Sequence, residues 1–147
     1  MLVNIINGLV SDDSYLVKMV ASVDKMIFID SCSVILKARA ISERMVSNII
    51  KYEGISGTDG MNQKERIISL QKKDVISEDI ARMFQTLRFF GNRAVHGELE
   101  GVFETSLMVY RLLFRVLTWY VVNYVKYDFE CGDYVEPDVI GRIEGCR

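Results

Sequence analysis

Chain breakers are scarce in this sequence. Proline occurs once in 147 residues, at Pro137, and glycine ten times. Apart from Gly8, the glycines gather at positions 54–60, around 91–101 and in the tail. The long intervals between them contain nothing that stops a helix. Histidine is scarcer still, with His96 the only one. The three cysteines, Cys32, Cys131 and Cys146, show neither metal-ligand spacing nor an even-numbered disulfide framework. They fit a reducing, cytoplasmic setting, and Cys32, within an apolar run, reads as a small core residue. No metal or cofactor is expected. Positive charge is not in excess either: the net charge is −2 and the pI about 5.5. That excludes a protein that coats nucleic acid with a basic surface, so any contact with RNA or a nucleotide must be local.

Two apolar stretches raise the question of membranes. Met1 to Val10 lacks a basic leader, which argues against a signal peptide. Leu107–Val125 is long enough to span a bilayer, but Arg111, Arg115 and Asn123 interrupt it. Each charge there would cost about 3 kcal/mol at the bilayer centre. The stretch is therefore read as a core helix whose arginines reach the surface, and no membrane partner is expected.

Half of the residues are hydrophobic and about a quarter charged, a composition suited to one folded domain. The periodicity predicts an all-α chain: a single bundle of five or six helices over 1–127, with a loose C-terminal tail or linker over 128–147. Residues 2–10 suit a short helix or an extended arm. Ser11, Asp12 and Asp13 offer caps for a helix to about Ile29. A second helix from Ser31 to Tyr52, either separate or bent from the first, repeats apolar residues at Val34, Ala38, Ile41, Met45, Ile49 and Tyr52. After a glycine-rich loop, Asn62 caps a helix ending near Lys73. Its Lys64, Arg66, Lys72 and Lys73 form a modest basic patch that reads as a solvated face. Ser77 starts a helix that stops at Gly97, and a last long helix runs from Phe103 to Tyr127.

The helix before Gly97 carries the candidate chemistry. With Leu87 at the centre of its core face, Ile80, Met83, Phe84, Phe90, Gly91, Ala94 and Val95 fall within about 80°, at about 100° per residue. Arg88, Asn92 and His96 repeat every four residues and lie about 100° to 180° away. This polar stripe looks away from the helix's own core, toward solvent, a neighbouring element or a second protomer. A cation, an amide and an imidazole on one side can hold a phosphate and move a proton. Equally, they suit a helix end with a histidine on the dipole. Arg93 lies on the opposite flank.

The pattern Arg88-x-x-Gly91-Asn92-x-Ala94-x-His96 resembles the signature of a helical domain of unknown function often attached to type I restriction R subunits and other prokaryotic defence proteins. That domain is grouped with the HEPN superfamily, the higher eukaryote and prokaryote nucleotide-binding domains. Ala38-Arg39-x-x-x-Glu43 is similar to an arginine–glutamate pair on an earlier helix of the family. The resemblance spans about Ser31 to Tyr127.

Many HEPN proteins are metal-independent ribonucleases that join two motifs at a dimer cleft. The resemblance implies a homodimer and the roles of motif residues for Asn92 and His96. In that scheme His96 is acid and base for a ribose 2′-OH, Asn92 orients phosphate, and Arg88 supplies charge. Arg39 and Glu43 brace the site, and Arg93 is a flanking binding residue. The family's motif arginine would directly precede Asn92, where this chain has Gly91, and that glycine also suits close helix packing. Three functions follow as expectations. The first is a non-catalytic or weakly catalytic dimerisation or docking module of a restriction or defence system. The second is a ribonuclease, and the third an RNA- or nucleotide-binding domain without cleavage.

Overall fold

Among the described residues, capping side chains open four of the six helices. The computed structural model describes residues 2–9 and 13–138. Helix α1 is Val3–Leu9, so the N-terminal segment is helical. Its first amides find an acceptor on another helix: Leu2 N and Val3 N donate to the Asp24 carboxylate at 3.2 and 2.8 Å. Asp13 caps α2 (Ser14–Met26) by accepting from Tyr15 N; Ser11 and Asp12 lie outside the described residues. α2 ends short of Ile29, and the next helix is separate rather than a bent continuation. Asp30 enforces that break by accepting from Ser33 N and Ser33 Oγ at 3.1 and 2.7 Å, and α3 runs Ser31–Tyr52.

A capping box opens α4 (Gln63–Lys72). Asn62 accepts from Glu65 N at 2.9 Å while the Glu65 carboxylate accepts from Asn62 N at 3.3 Å. Ser77 caps α5 (Glu78–Val95) through Ile80 N. Gly97 stops α5 as its position predicted. At φ 67° it donates to Ala94 O, and Glu98 N donates to Arg93 O at 2.9 Å, the paired bonds that satisfy a helix's last carbonyls. α6 is Val102–Tyr120 and passes into one π-helical turn, Val121–Val125. Among the described residues the architecture is six helices with no strand, an all-α bundle.

α3 lies at the centre, packed by α2, α5 and α6, with α4 closing over α5 and α3. α1 rests on α2 and the π-helical turn. The faces read from periodicity are buried: Val34, Ala38, Ile41, Met45 and Ile49 of α3 meet Phe84 and Leu87 of α5 in one core. Burial of each such side chain contributes about 1.5–3 kcal/mol. Val102–Val125 is long and apolar enough to cross a membrane, but half of its apolar window is buried in the bundle. Arg111 and Arg115 sit on its exposed side.

Three sequence expectations shift. Tyr52, counted with the buried face, is 47% exposed because α3 ends there; its ring stacks on Tyr124 at 6.0 Å. Val95, at the edge of the core stripe, is 53% exposed in the last turn of α5. Cys32 is half-buried against the core; Cys146 lies outside the described residues. Residues 126–138 form no helix or strand, yet Phe129, Cys131 and Tyr134 lie against the bundle.

Candidate functional site

The polar stripe of α5 divides between two environments. Arg88 and Asn92, on the flank of the helix, are half-buried and line an open cleft of about 260 Å³. α3 contributes Arg39 and Glu43 to it, and the first turn of α4 contributes Gln63 and Lys64 beside the cap Asn62. His96, one turn beyond Asn92, caps the C-terminus of α5 and is exposed outside this cleft. The geometry therefore joins Arg39, Glu43, Arg88 and Asn92, and leaves His96 apart.

Each wall has a local cause. Arg39 Nε donates to Glu43 Oε1 at 3.1 Å, the four-residue pair expected from the sequence. With both side chains partly exposed, the pair contributes only a few tenths of a kcal/mol; its effect is to fix the direction of the guanidinium. Arg88 Nε donates to Gln85 Oε1 at 2.9 Å, and Gln85 Nε2 donates to Lys64 O at 3.3 Å. Gln85 thus clamps the start of α4 to α5 and holds one cation of the cleft while doing so. Three cations (Arg39, Arg88 and Lys64) face one carboxylate (Glu43).

Gly91 is buried where α5 crosses α3. A Cβ there would lie 2.5 Å from Arg39 Cβ, 2.7 Å from its Cδ and 2.9 Å from its Cγ. The Arg39 stem fills the space that any side chain at position 91 would need. Close packing, one of the two sequence readings of Gly91, is its structural role. The motif arginine of the HEPN pattern has no room at this position.

Arg93 belongs elsewhere. Its guanidinium carbon lies 5.5 Å from the Phe89 ring centroid, and Nη2 donates to Glu98 O at 3.1 Å. It lines a separate recess with Phe90, Leu99 and Thr105. Sequence reasoning missed Gln63. It treated Lys64 as part of a solvated patch, although the Asn62/Glu65 capping box was legible and fixes where the first turn of α4 points.

A protein-family model described as "Domain of unknown function (DUF4145)" matches residues 22–127, well over half of the chain. The chain belongs to the DUF4145 family. The match contains α3, α4 and α5, and so the whole cleft. The DUF4145 chain is also similar to the "Type I restriction enzyme EcoKI endonuclease subunit" of Escherichia coli (strain K12). The two are 35% identical over 78 residues. The aligned segment is 52% of this chain but only 7% of that subunit. No solved structure matches.

Proposed function

We propose that this DUF4145 chain is a HEPN-like helical module, non-catalytic or weakly catalytic, that dimerises and docks within a cytoplasmic restriction or defence system. The observation that carries the reading is the outer face of α5. Phe89 is 47% exposed there, with Arg93 over its ring, in the same direction as His96. A half-exposed phenylalanine beside a cation suits the centre of a protein interface, where aromatic and arginine side chains concentrate. The occupant proposed is a second copy of this chain, which would place two α5 outer faces against each other.

The likeness to a short segment of a restriction subunit supports a defence setting. It suits an accessory module better than a whole nuclease. Light scattering tests the reading. The protein is expected to run as a dimer, and Phe89→Glu as a folded monomer. A wild-type monomer at high concentration would refute the dimer.

One observation favours a second reading. Asn92 lines the cleft that holds Arg39 and Arg88, yet stands one turn from His96. In a ribonuclease, His96 would take the proton from a ribose 2′-OH as that oxygen attacks phosphorus. The imidazolium would then return the proton to the leaving 5′-oxygen, giving a 2′,3′-cyclic phosphate. Such cleavage should proceed without metal and disappear in His96→Ala. If His96→Ala cleaves at the wild-type rate, or neither protein cleaves, this second reading fails.

A further inference from the structure

Helix α4 is thinly attached to the bundle. Thr58 before it and Ile76 after it are buried, but between them only Ile67 and Leu70 are. α3, by contrast, buries nine side chains. The connections on either side of α4 are unpacked. Asp59 and Gly60 are exposed, and nothing lies within 4 Å of where a Gly60 side chain would be. At the other end the exposed Asp74 turns the chain at φ 56°. Among the described residues, one hydrogen bond joins α4 to another helix: Gln85 Nε2 donates to Lys64 O at 3.3 Å. The fit beneath α4 is also incomplete. Gln63 Nε2 and Arg66 Nε are enclosed with no hydrogen-bond partner, two of the three such side-chain atoms among the described residues. Enclosing them offsets part of what burial of Ile67 and Leu70 contributes, and lifting α4 returns both donors to water.

We propose that α4 is a lid, which swings off α3 and α5 as a unit while the other helices stay packed, with Gln85 as its latch. The moving piece runs from Asp59 to Val75, between the two buried residues that stay with the bundle. It carries its own capping box, Asn62 with Glu65, so the helix keeps its N-terminal cap when it lifts. Gln85 also accepts from Arg88 Nε at 2.9 Å. The closed latch therefore holds Lys64 and Arg88 on one wall of the cleft. The open latch releases both, and Ile67 and Leu70 leave the core. Exposure of that core surface becomes switchable, because a molecule that binds only the open state draws the chain toward it. The inference stands whether or not the chain dimerises.

Hydrogen exchange of the full chain, followed amide by amide by NMR at low denaturant, tests the proposal. The amides of residues 66–73 should share one protection factor, about a hundredfold or more below that of α3 amides at 41–49. Protection that falls gradually from the ends of α4 inward would mean fraying. Protection equal to that of α3 would mean that α4 opens only with the whole bundle. Either result overturns the lid. Gln85→Ala should lower α4 protection by a further factor of about three to ten, as loss of one hydrogen bond implies, and leave α3 and α6 unchanged. An equal drop in every helix, or none in α4, overturns the latch. Gln63→Met keeps the shape and removes an enclosed donor, so it should raise α4 protection by a similar factor. A helix seated without mismatch would lose protection on that change, so a fall overturns this account of the seat. If Gln85→Ala does not fold, the wild-type pattern and Gln63→Met still decide the matter.

Discussion

At residue scale the structure turns on the meeting of Gly91 and Arg39. The HEPN pattern implies an arginine before Asn92, and restoring it by Gly91→Arg looks like an obvious gain of activity. The packing says otherwise. Even the first carbon of a new side chain would lie 2.5 Å from Arg39 Cβ, an atom tied to the α3 backbone that cannot swing aside. Overpacking of this kind costs about 1–3 kcal/mol for added methylenes, and an arginine adds far more than one. Relief from glycine's poor helix propensity returns at most about 1 kcal/mol. Gly91→Arg is therefore expected to lose at least about 2 kcal/mol in chemical denaturation and to gain no RNA cleavage. A variant as stable as wild type would show that α3 and α5 can part easily. Gly91 was legible in the sequence as a departure from a motif and as a candidate packing contact. Its partner was not, because Arg39 is fifty-two positions away and nothing local marks the crossing.

Elements in this protein are set by their ends, and two ends give opposite predictions. α4 finishes with Asp74 in the left-handed region, at φ 56°. Asp74 N donates to Gln71 O and Val75 N to Leu70 O, the same closing bonds that Gly97 makes possible after α5. A side chain there is strained where glycine would not be, so Asp74→Gly should raise stability by about 0.5–1 kcal/mol, read as a rise in melting temperature. A fall would mean that the Asp74 side chain contributes something its backbone does not require.

α2 begins with Asp13, which also receives Arg44 Nε at 2.6 Å and Asn48 Nδ2 at 3.0 Å. Burial pushes this carboxyl up, but the bonds from Arg44 and Asn48 and the Arg44 charge outweigh burial and bring it down to about 2. A carboxyl held below its ordinary value contributes stability at pH above about 4, and that contribution fades as pH falls toward 2. Asp13→Ala should therefore cost about 1–2 kcal/mol near neutral pH. The gap in melting temperature between variant and wild type should close in acid; a gap constant from pH 7 to 2.5 would refute this account. The caps at Asp13, Asn62, Ser77 and Gly97 were all readable because each acts on amides or carbonyls a few residues away. The Arg44 contact, thirty-one residues distant, was not.

At the scale of the whole bundle, α1, α2, α6 and the segment after the π-helical turn are closed together by a few side chains. Tyr110 of α6 donates to Asp24 of α2 at 2.6 Å and accepts from Leu2 N at 3.0 Å, which ties α1, α2 and α6 together. Burial, then the Asp24 hydrogen bond, holds the Tyr110 phenol well above its ordinary pKa, so it remains a neutral donor. The segment after the π-helical turn lies over the same region. The Tyr134 ring packs 6.2 Å from Tyr110 and 5.3 Å from Phe114, with Arg111 over it at 5.5 Å. Phe129 lies near Gly8, where an added Cβ would meet its ring at 3.1 Å. The sequence reads this segment as a loose tail or a linker because of its one proline, three glycines and mixed charges, and composition is blind to single aromatics that anchor an irregular strap. The two readings differ in what truncation does. A chain ending at Tyr127 keeps every helix among the described residues but loses the partly buried Phe129 and Tyr134. Their area and ring contacts contribute about 2–3 kcal/mol together. For a chain of this size that corresponds to a fall in melting temperature of about 5–10 °C with an unchanged helical spectrum. A loose tail would leave the melting temperature where it was. Replacing only Phe129 and Tyr134 by alanine in the full chain should reproduce most of the loss, since the anchoring is assigned to those two rings and not to the backbone between them.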